Sequence, residues 1–462
     1  MIIIFFILLK MCELIKLVIL SLVIFNFICS QEGVIKLPFK KKIPNLSNLS
    51  PDDIIFHGLQ SNQIITEINI GTEPQTIPMS INLHYYDFFL TGEGEEGDIK
   101  KFIFFKESDS TTFNKLEQFG NYGGRGFTIG YKANDYYHIN NKKYNISFIL
   151  SYDSTYNDSG IIGLKLSEQE DEEIIEYNFI RQLKKVKAIK DYYFTINYTD
   201  NYSGNLIIGD LPENYDETFK NIEYKDIYVV NPDLPTSWNV QIDSIYTKYS
   251  NDDTKKDLGK YIIYFRNDLG VTIGSEEYRQ ELLSTFMYDQ IEKDICREKF
   301  ATFYYTYYCN KTVDLTKMKN LYFYNKGLDF SFEFTYKDLF FYNELDNKYY
   351  FLIEFERNTE PNKRWLVGEF FFKKYQLIFN QEKKKIGIYT GKYINRQDDQ
   401  NINESWSSSN KWYIILMIFL FLLIIALGIV IYLYIKNKPR RKIKANELLD
   451  DNYDYAITND SK

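Results

Sequence analysis

The sequence predicts an all-β ectodomain, and three observations carry that expectation. From Ile64 onward the chain runs in short stretches of β-branched and aromatic residues, such as IITEINI, GNLIIGDL, KYIIYF and FSFEFTY. Gly, Asn and Asp bound these stretches, as turns between strands require. Helical stretches are few, and residues 170–186 and 276–288 are the best candidates.

The ends of the chain read differently. Residues 1–30 form an apolar run punctuated by Lys10, Glu13 and Lys16 and ending at Ser30, the pattern of a secretory signal peptide. Those charges oppose the alternative of a first membrane span. Residues 412–435, WYIILMIFLFLLIIALGIVIYLYI, are long enough to cross a bilayer of ~30 Å as a helix, with Trp412, Tyr413, Tyr432 and Tyr434 at the interfaces. Lys436, Lys438, Arg440, Arg441, Lys442 and Lys444 follow, so the positive-inside rule predicts a cytosolic tail at 436–462 and a lumenal or extracellular segment at 31–411. The expected location is a membrane of the secretory route, either the plasma membrane or an endolysosomal or vacuolar one.

That topology sets the chemistry of the ectodomain. Of four cysteines, Cys12 and Cys29 lie in the leader; Cys296 and Cys309 remain and are expected to pair in an oxidising compartment. Eight glycosylation sequons face the same side, at Asn45, Asn48, Asn145, Asn157, Asn197, Asn201, Asn310 and Asn403. A balance of 55 basic against 63 acidic residues, with no basic patch interleaved with aromatics, argues against nucleic acid as a partner.

Along the chain, a short basic stretch and a Ser/Asn/Pro-rich linker occupy 31–60. Two strand-rich halves follow at 61–232 and 233–393, divided by the two prolines of NPDLPTSW (231–238). Residues 394–411 form a polar stalk without apolar periodicity. The acidic run SEQEDEEIIE lacks the ligand spacing of a calcium loop and reads as a solvated helix start. TGEGEEGD reads as a turn, and there is no HExxH or GxSxG, so no cofactor, metal site or serine nucleophile is expected.

The motifs fall into an order. IITEINIGTEPQTIPMSI (64–81) carries Gly-Thr-x-Pro-Gln, NYGGRGFTIGY (121–131) reads as a glycine-rich hairpin, and SGIIGLKL (159–166) holds an apolar-apolar-Gly step. GNLIIGDLPENY, SWNVQIDSI and the closing block RWLVGEFFFKKYQLIFNQEKKKIGIYTG (364–391) follow, the last with a second apolar-apolar-Gly step. In this order and spacing they resemble the pepsin-like aspartic peptidases. The resemblance implies a bilobal pepsin-like fold, two β lobes around a cleft that takes an extended peptide. It also implies that Tyr122 is the flap tyrosine, that Cys296 and Cys309 form the second-lobe disulfide, and that VIKLPFKKK (34–42) is the opening strand of a basic pro-segment.

The chemistry the resemblance implies needs two carboxylates, one per lobe, each in Asp-Thr/Ser-Gly, sharing one proton so that one is base and the other acid. The register of the first lobe puts Asn82, Leu83 and His84 at that triplet. An amide cannot take a proton from water, and leucine has no hydroxyl. YNDSGIIGL (156–164) contains an Asp-Ser-Gly, but at the place of the segment that backs the first loop. In the second lobe the register puts Arg266 at the aspartate position, followed by Asn267 and Asp268; a two-residue shift would offer Asp268 instead. A guanidinium stays protonated and cannot act as base, and would favour acidic ligands. The expectation is a single-pass membrane glycoprotein with a catalytically inactive peptidase-like ectodomain that binds a peptide or protein, or serves as a scaffold. The alternatives are an active membrane-anchored aspartic endopeptidase and a coat or adhesion protein.

Overall fold

The computed structural model describes residues 33–42, 58–93, 103–123, 126–154, 159–166, 177–211, 222–226, 237–301, 304–344, 346–357 and 364–389. The signal peptide, Asp158, the stalk, the 412–435 segment and the sequons at Asn45, Asn48, Asn157 and Asn403 lie outside them. No helix among the described residues is long and apolar enough to cross a membrane.

The first half supplies strands β1 (Ile35–Lys42), β2 (Gln63–Ile70), β3 (Gln75–Asn82), β4 (Phe88–Thr91), β5 (Asn114–Gly123), β6 (Gly126–Ile139), β7 (Lys142–Ser154), β8 (Gly160–Gly163), β9 (Tyr193–Tyr198) and β10 (Ser203–Ile208). After β11 (Ile222–Asp226), the second half supplies β12 (Asn239–Lys248), β13 (Lys256–Phe265), β14 (Thr272–Gly274), β15 (Cys296–Ala301), β16 (Tyr304–Asn310), β17 (Asn320–Asn325), β18 (Phe330–Phe334), β19 (Phe340–Asn343), β20 (Lys348–Phe351), β21 (Ile353–Glu356), β22 (Arg364–Val367), β23 (Leu377–Asn380) and β24 (Lys385–Tyr389).

Alternation of side chains explains the pairing. In β2, Ile64, Ile68 and Ile70 are buried while Glu67 and Asn69 face out, as a half-buried strand requires. The hairpin to β3 turns at Gly71, whose φ of +104 is open to glycine at little cost. Each half then repeats one arrangement. β3 runs parallel to β8, β8 antiparallel to β4, and β4 parallel to β7. Likewise β13 runs parallel to β22, β22 antiparallel to β14, and β14 parallel to β21.

Sheet membership departs from the sequence boundary at one place. β23 and β24, within the expected second half at 233–393, join the 13-stranded sheet of the first half through β9, while the second sheet has 11 strands. Aromatic packing holds this junction: Phe379 stacks on Phe194 at 5.0 Å, and Trp238 meets Phe379 edge-on at 5.0 Å. Buried apolar residues from both sheets form one core cluster.

Among the described residues, the helices in these stretches are bounded differently than the periodicity suggests. In the first stretch the described helix is Phe179–Lys185, capped by the Asn178 side chain accepting from the Arg181 N–H. The second, Glu276–Leu282, is capped by Ser275 and continues through a wider turn at Leu283–Met287 to Tyr288–Glu292.

Cys296 and Cys309 face each other across β15 and β16 and form a disulfide, both sulfurs in the core. Replacing both with serine is expected to cost on the order of 3 kcal/mol, because the short loop they close gains freedom when unfolded. Chemical denaturation of the variant against the wild type checks this.

Candidate functional site

Two loops leave equivalent places in the two halves. β3 ends at Asn82, which stands beside Gly163 in the parallel ladder, and the Leu164 N–H donates to the Asn82 carbonyl at 2.8 Å. β13 ends at Phe265, beside Val367, and the Arg266 N–H donates to the Val367 carbonyl at 3.0 Å, one residue before Gly368. Asn82 and Arg266 therefore occupy corresponding positions against the two apolar-apolar-Gly segments. Both glycines are sterically required. A Cβ on Gly163 would lie 2.5 Å from the Asp87 carbonyl oxygen, and one on Gly368 would lie 2.2 Å from that of Val271.

The first loop is shaped by Asn82 itself. Its Oδ1 accepts from the backbone N–H groups of His84 at 2.6 Å and Tyr85 at 3.3 Å, a local turn that asparagine makes readily. Leu83 points into the core and His84 outward, its ring edge-on to Tyr85.

The two loops are tied by one side chain. Asn267, fully buried, accepts from the Leu83 N–H through Oδ1 at 2.8 Å and donates through Nδ2 to the Ile81 carbonyl at 2.8 Å. An amide carries one acceptor and two donors, so it satisfies both backbone groups of the opposite loop at once. Leu83 has no polar group with which to return the tie. The second loop is instead supported by Asn62, whose Nδ2 donates to the Asn267 carbonyl at 2.9 Å and to the Tyr198 hydroxyl at 2.7 Å. The backbone joins in: Asn62 N–H donates to the Asp268 carbonyl, and Gly270 N–H to that of Gln60.

Arg266 and Asp268 form a planar fork, Nε to Oδ1 at 2.8 Å and Nη2 to Oδ2 at 2.6 Å. Burial would depress the guanidinium's pKa, but the Asp268 carboxylate, with Tyr85 and Tyr304 nearby, more than reverses this and raises it. Asp268, the alternative carboxylate, is committed to its own loop's arginine. The Arg266 charge is offset by Asp268 within the same loop.

Two other carboxylates sit at these loops. Burial pushes Asp87 up to about 6, with Lys165 pulling it back. Burial likewise pushes Glu354, on β21, up to about 7, opposed by Gln60, whose Nε2 donates to both carboxylate oxygens at 2.9 and 3.0 Å. Neither carboxylate is in the Asp-Thr/Ser-Gly setting. Nothing in the local sequence marks Glu354, Gln60 or Asn62, because their partners lie far along the chain.

Of the remaining predicted residues, Tyr122 pairs with Phe127 near the end of the β5–β6 hairpin. Asn145, Asn201 and Asn310 are exposed and Asn197 is half-buried.

A family model described as eukaryotic aspartyl protease matches residues 63–390. The chain belongs to that family. No curated protein matches its sequence closely enough to add a relative. The aspartyl protease match spans both parallel ladders, both paired loops and the disulfide, so the repeated halves are the two halves of this family's domain.

Proposed function

We propose that this chain is a type I membrane glycoprotein whose aspartyl-protease ectodomain has lost peptide hydrolysis and binds a peptide or protein segment. One observation carries the reading: the corresponding ends of the two ladders hold Asn82 and Arg266. Hydrolysis by this family's chemistry requires two carboxylates about 3 Å apart sharing a proton. An amide already accepting two backbone hydrogens and a guanidinium forked to Asp268 can supply neither the base nor the acid. The loops are nevertheless fully braced, through Asn267 and Asn62, as a binding scaffold requires. The membrane topology rests on the apolar 412–435 segment and the basic cluster after it, both outside the described residues.

The test is cleavage of a peptide library at acidic pH by the purified full-length protein, with and without a transition-state inhibitor of aspartic peptidases. The expected result is no inhibitor-sensitive turnover. Turnover abolished by the inhibitor would overturn the reading and establish the endopeptidase alternative. Crosslinking in the source membranes, followed by mass spectrometry, then seeks the bound segment.

A further inference from the structure

We infer that the side-chain nitrogens of Asn82 and Arg266 are a binding site for a hydrogen-bond acceptor, a backbone carbonyl oxygen of an extended peptide. The inference rests on the peptide-binding reading above and names the group that the paired loops recognise.

A count of donors and acceptors at the two loop ends carries it. An asparagine amide offers one oxygen, which accepts, and one nitrogen, which donates twice. The Asn82 oxygen is already taken by the backbone N–H groups of His84 and Tyr85. Those two donors fix which end of the amide faces the turn, so the nitrogen faces away from it. Among the described residues nothing accepts from that nitrogen.

Arg266 repeats the pattern. Of the five N–H groups of a guanidinium, one on Nε and one on Nη2 are given to Asp268. The two on Nη1 and the second on Nη2 have no acceptor among the described residues. Both Asp268 oxygens are engaged by the fork. The unmatched side-chain groups at the two loop ends are therefore donors. Neither Asn82 Nδ2 nor Arg266 Nη1 belongs to the sealed polar atoms of the interior that lack a partner, so a ligand can reach both. Two phenols stand close enough to Arg266 to act on its charge, Tyr85 from the first loop and Tyr304 from the start of β16. The guanidinium thus sits where the two halves meet.

The acceptor is neutral. Asp268 offsets the charge of Arg266, and its carboxylate, 28 % exposed, would repel a second carboxylate brought beside it. A peptide carbonyl brings lone pairs without charge, and an extended chain offers one at every residue. Where the family's chemistry needs one group to take a proton and another to give it, these two side chains give hydrogen bonds only. They can hold an amide without activating water.

The experiment selects a phage-displayed random peptide library on the purified full-length protein. The tightest binder is then synthesised with each backbone carbonyl in turn replaced by a thiocarbonyl, a poorer acceptor, and affinities are measured. Asn82→Asp is the matching variant: it keeps the oxygen that His84 and Tyr85 use and turns the Nδ2 donor into an acceptor. The expected result is binding weakened on the order of tenfold in the variant. One thiocarbonyl position should weaken the wild type by a similar factor and matter little in the variant. Equal affinity of variant and wild type, with every thiocarbonyl silent, would overturn the inference and leave peptide binding standing. Silent thiocarbonyls with binding lost when a peptide Asp, Glu or carboxyl terminus is amidated would assign the donors to a carboxylate and overturn it as well. Should Asn82→Asp fail to fold, the thiocarbonyl scan on the wild type decides alone. Selection of no binder at all would sink the peptide-binding reading and this inference with it. Cleavage of the selected peptide would overturn the loss of hydrolysis and the donor assignment together.

Discussion

Replacing Asn267 with leucine will destabilise the aspartyl protease domain by roughly 2–5 kcal/mol, because two buried backbone groups lose their only described side-chain partner and each unsatisfied group costs ~1–3 kcal/mol. Those groups are the Leu83 N–H and the Ile81 carbonyl, both on the loop across from Asn267. A graded series separates the hydrogen bonds from the volume. Asn267→Asp keeps the shape but loses the donor to Ile81 and places a carboxylate at a fully buried position, so it should be at least as damaging as leucine. Asn267→Thr retains one hydroxyl that can accept from Leu83 and donate to Ile81, and should be the mildest of the three. Equilibrium denaturation of the series checks the order. Leucine matching the wild type would mean that the two loops are held together by something other than this amide.

The second large effect is a dependence of stability on pH that runs opposite to ordinary acid denaturation. Glu354 has a folded-state pKa of about 7 against a reference of 4.5, raised by burial, and Asp87 about 6 against 3.8. A carboxylate whose pKa is raised by folding holds its proton more tightly in the folded state. Its contribution is therefore intact below the unfolded value, erodes as pH rises toward the folded value, and levels off above it. For Glu354 that window is about 4.5 to 7, and at 1.36 kcal/mol per unit the loss is on the order of 3 kcal/mol. Asp87 adds to the lower part of the same window. Glu354→Gln should flatten the upper part of the curve, raising the melting temperature at pH 7.5 by several degrees relative to the wild type while leaving pH 4.5 little changed. A wild-type melting temperature that rises steadily from pH 4.5 to 7.5 would show that other groups outweigh these two.

How much of this could be read in advance depended on how far apart the partners lie. The β2–β3 hairpin, the segments GIIG and WLVG, and the facing cysteines announce themselves through residues within one or two turns of each other. The helix at Glu276–Leu282 does so too, through Ser275 as its cap. Asn267 was legible only as an amide standing where the family resemblance calls for a hydroxyl. Its partners, Leu83 and Ile81, lie 184 and 186 residues away, and no periodicity reports such a contact. The same holds for Gln60 with Glu354 and for Lys41 with Glu369. The Arg266–Asp268 fork spans only two residues, yet whether the side chains meet depends on a loop conformation set by Asn62 and Gln60.

The β character of the aspartyl protease domain, the family resemblance and the residue types at the two loop ends were legible in the sequence, because these follow from local alternation, turn chemistry and motif order. The tertiary structure set Asn82 and Arg266 against Gly163 and Gly368, where the motif register expects them. It also decided that an asparagine amide ties the loops, that β23 and β24 belong to the first sheet, and that β1 lies within it. The physical reason is common to all four. Strand order and buried hydrogen bonding are settled by which distant groups must share a dry interior, where every N–H and C=O needs a partner.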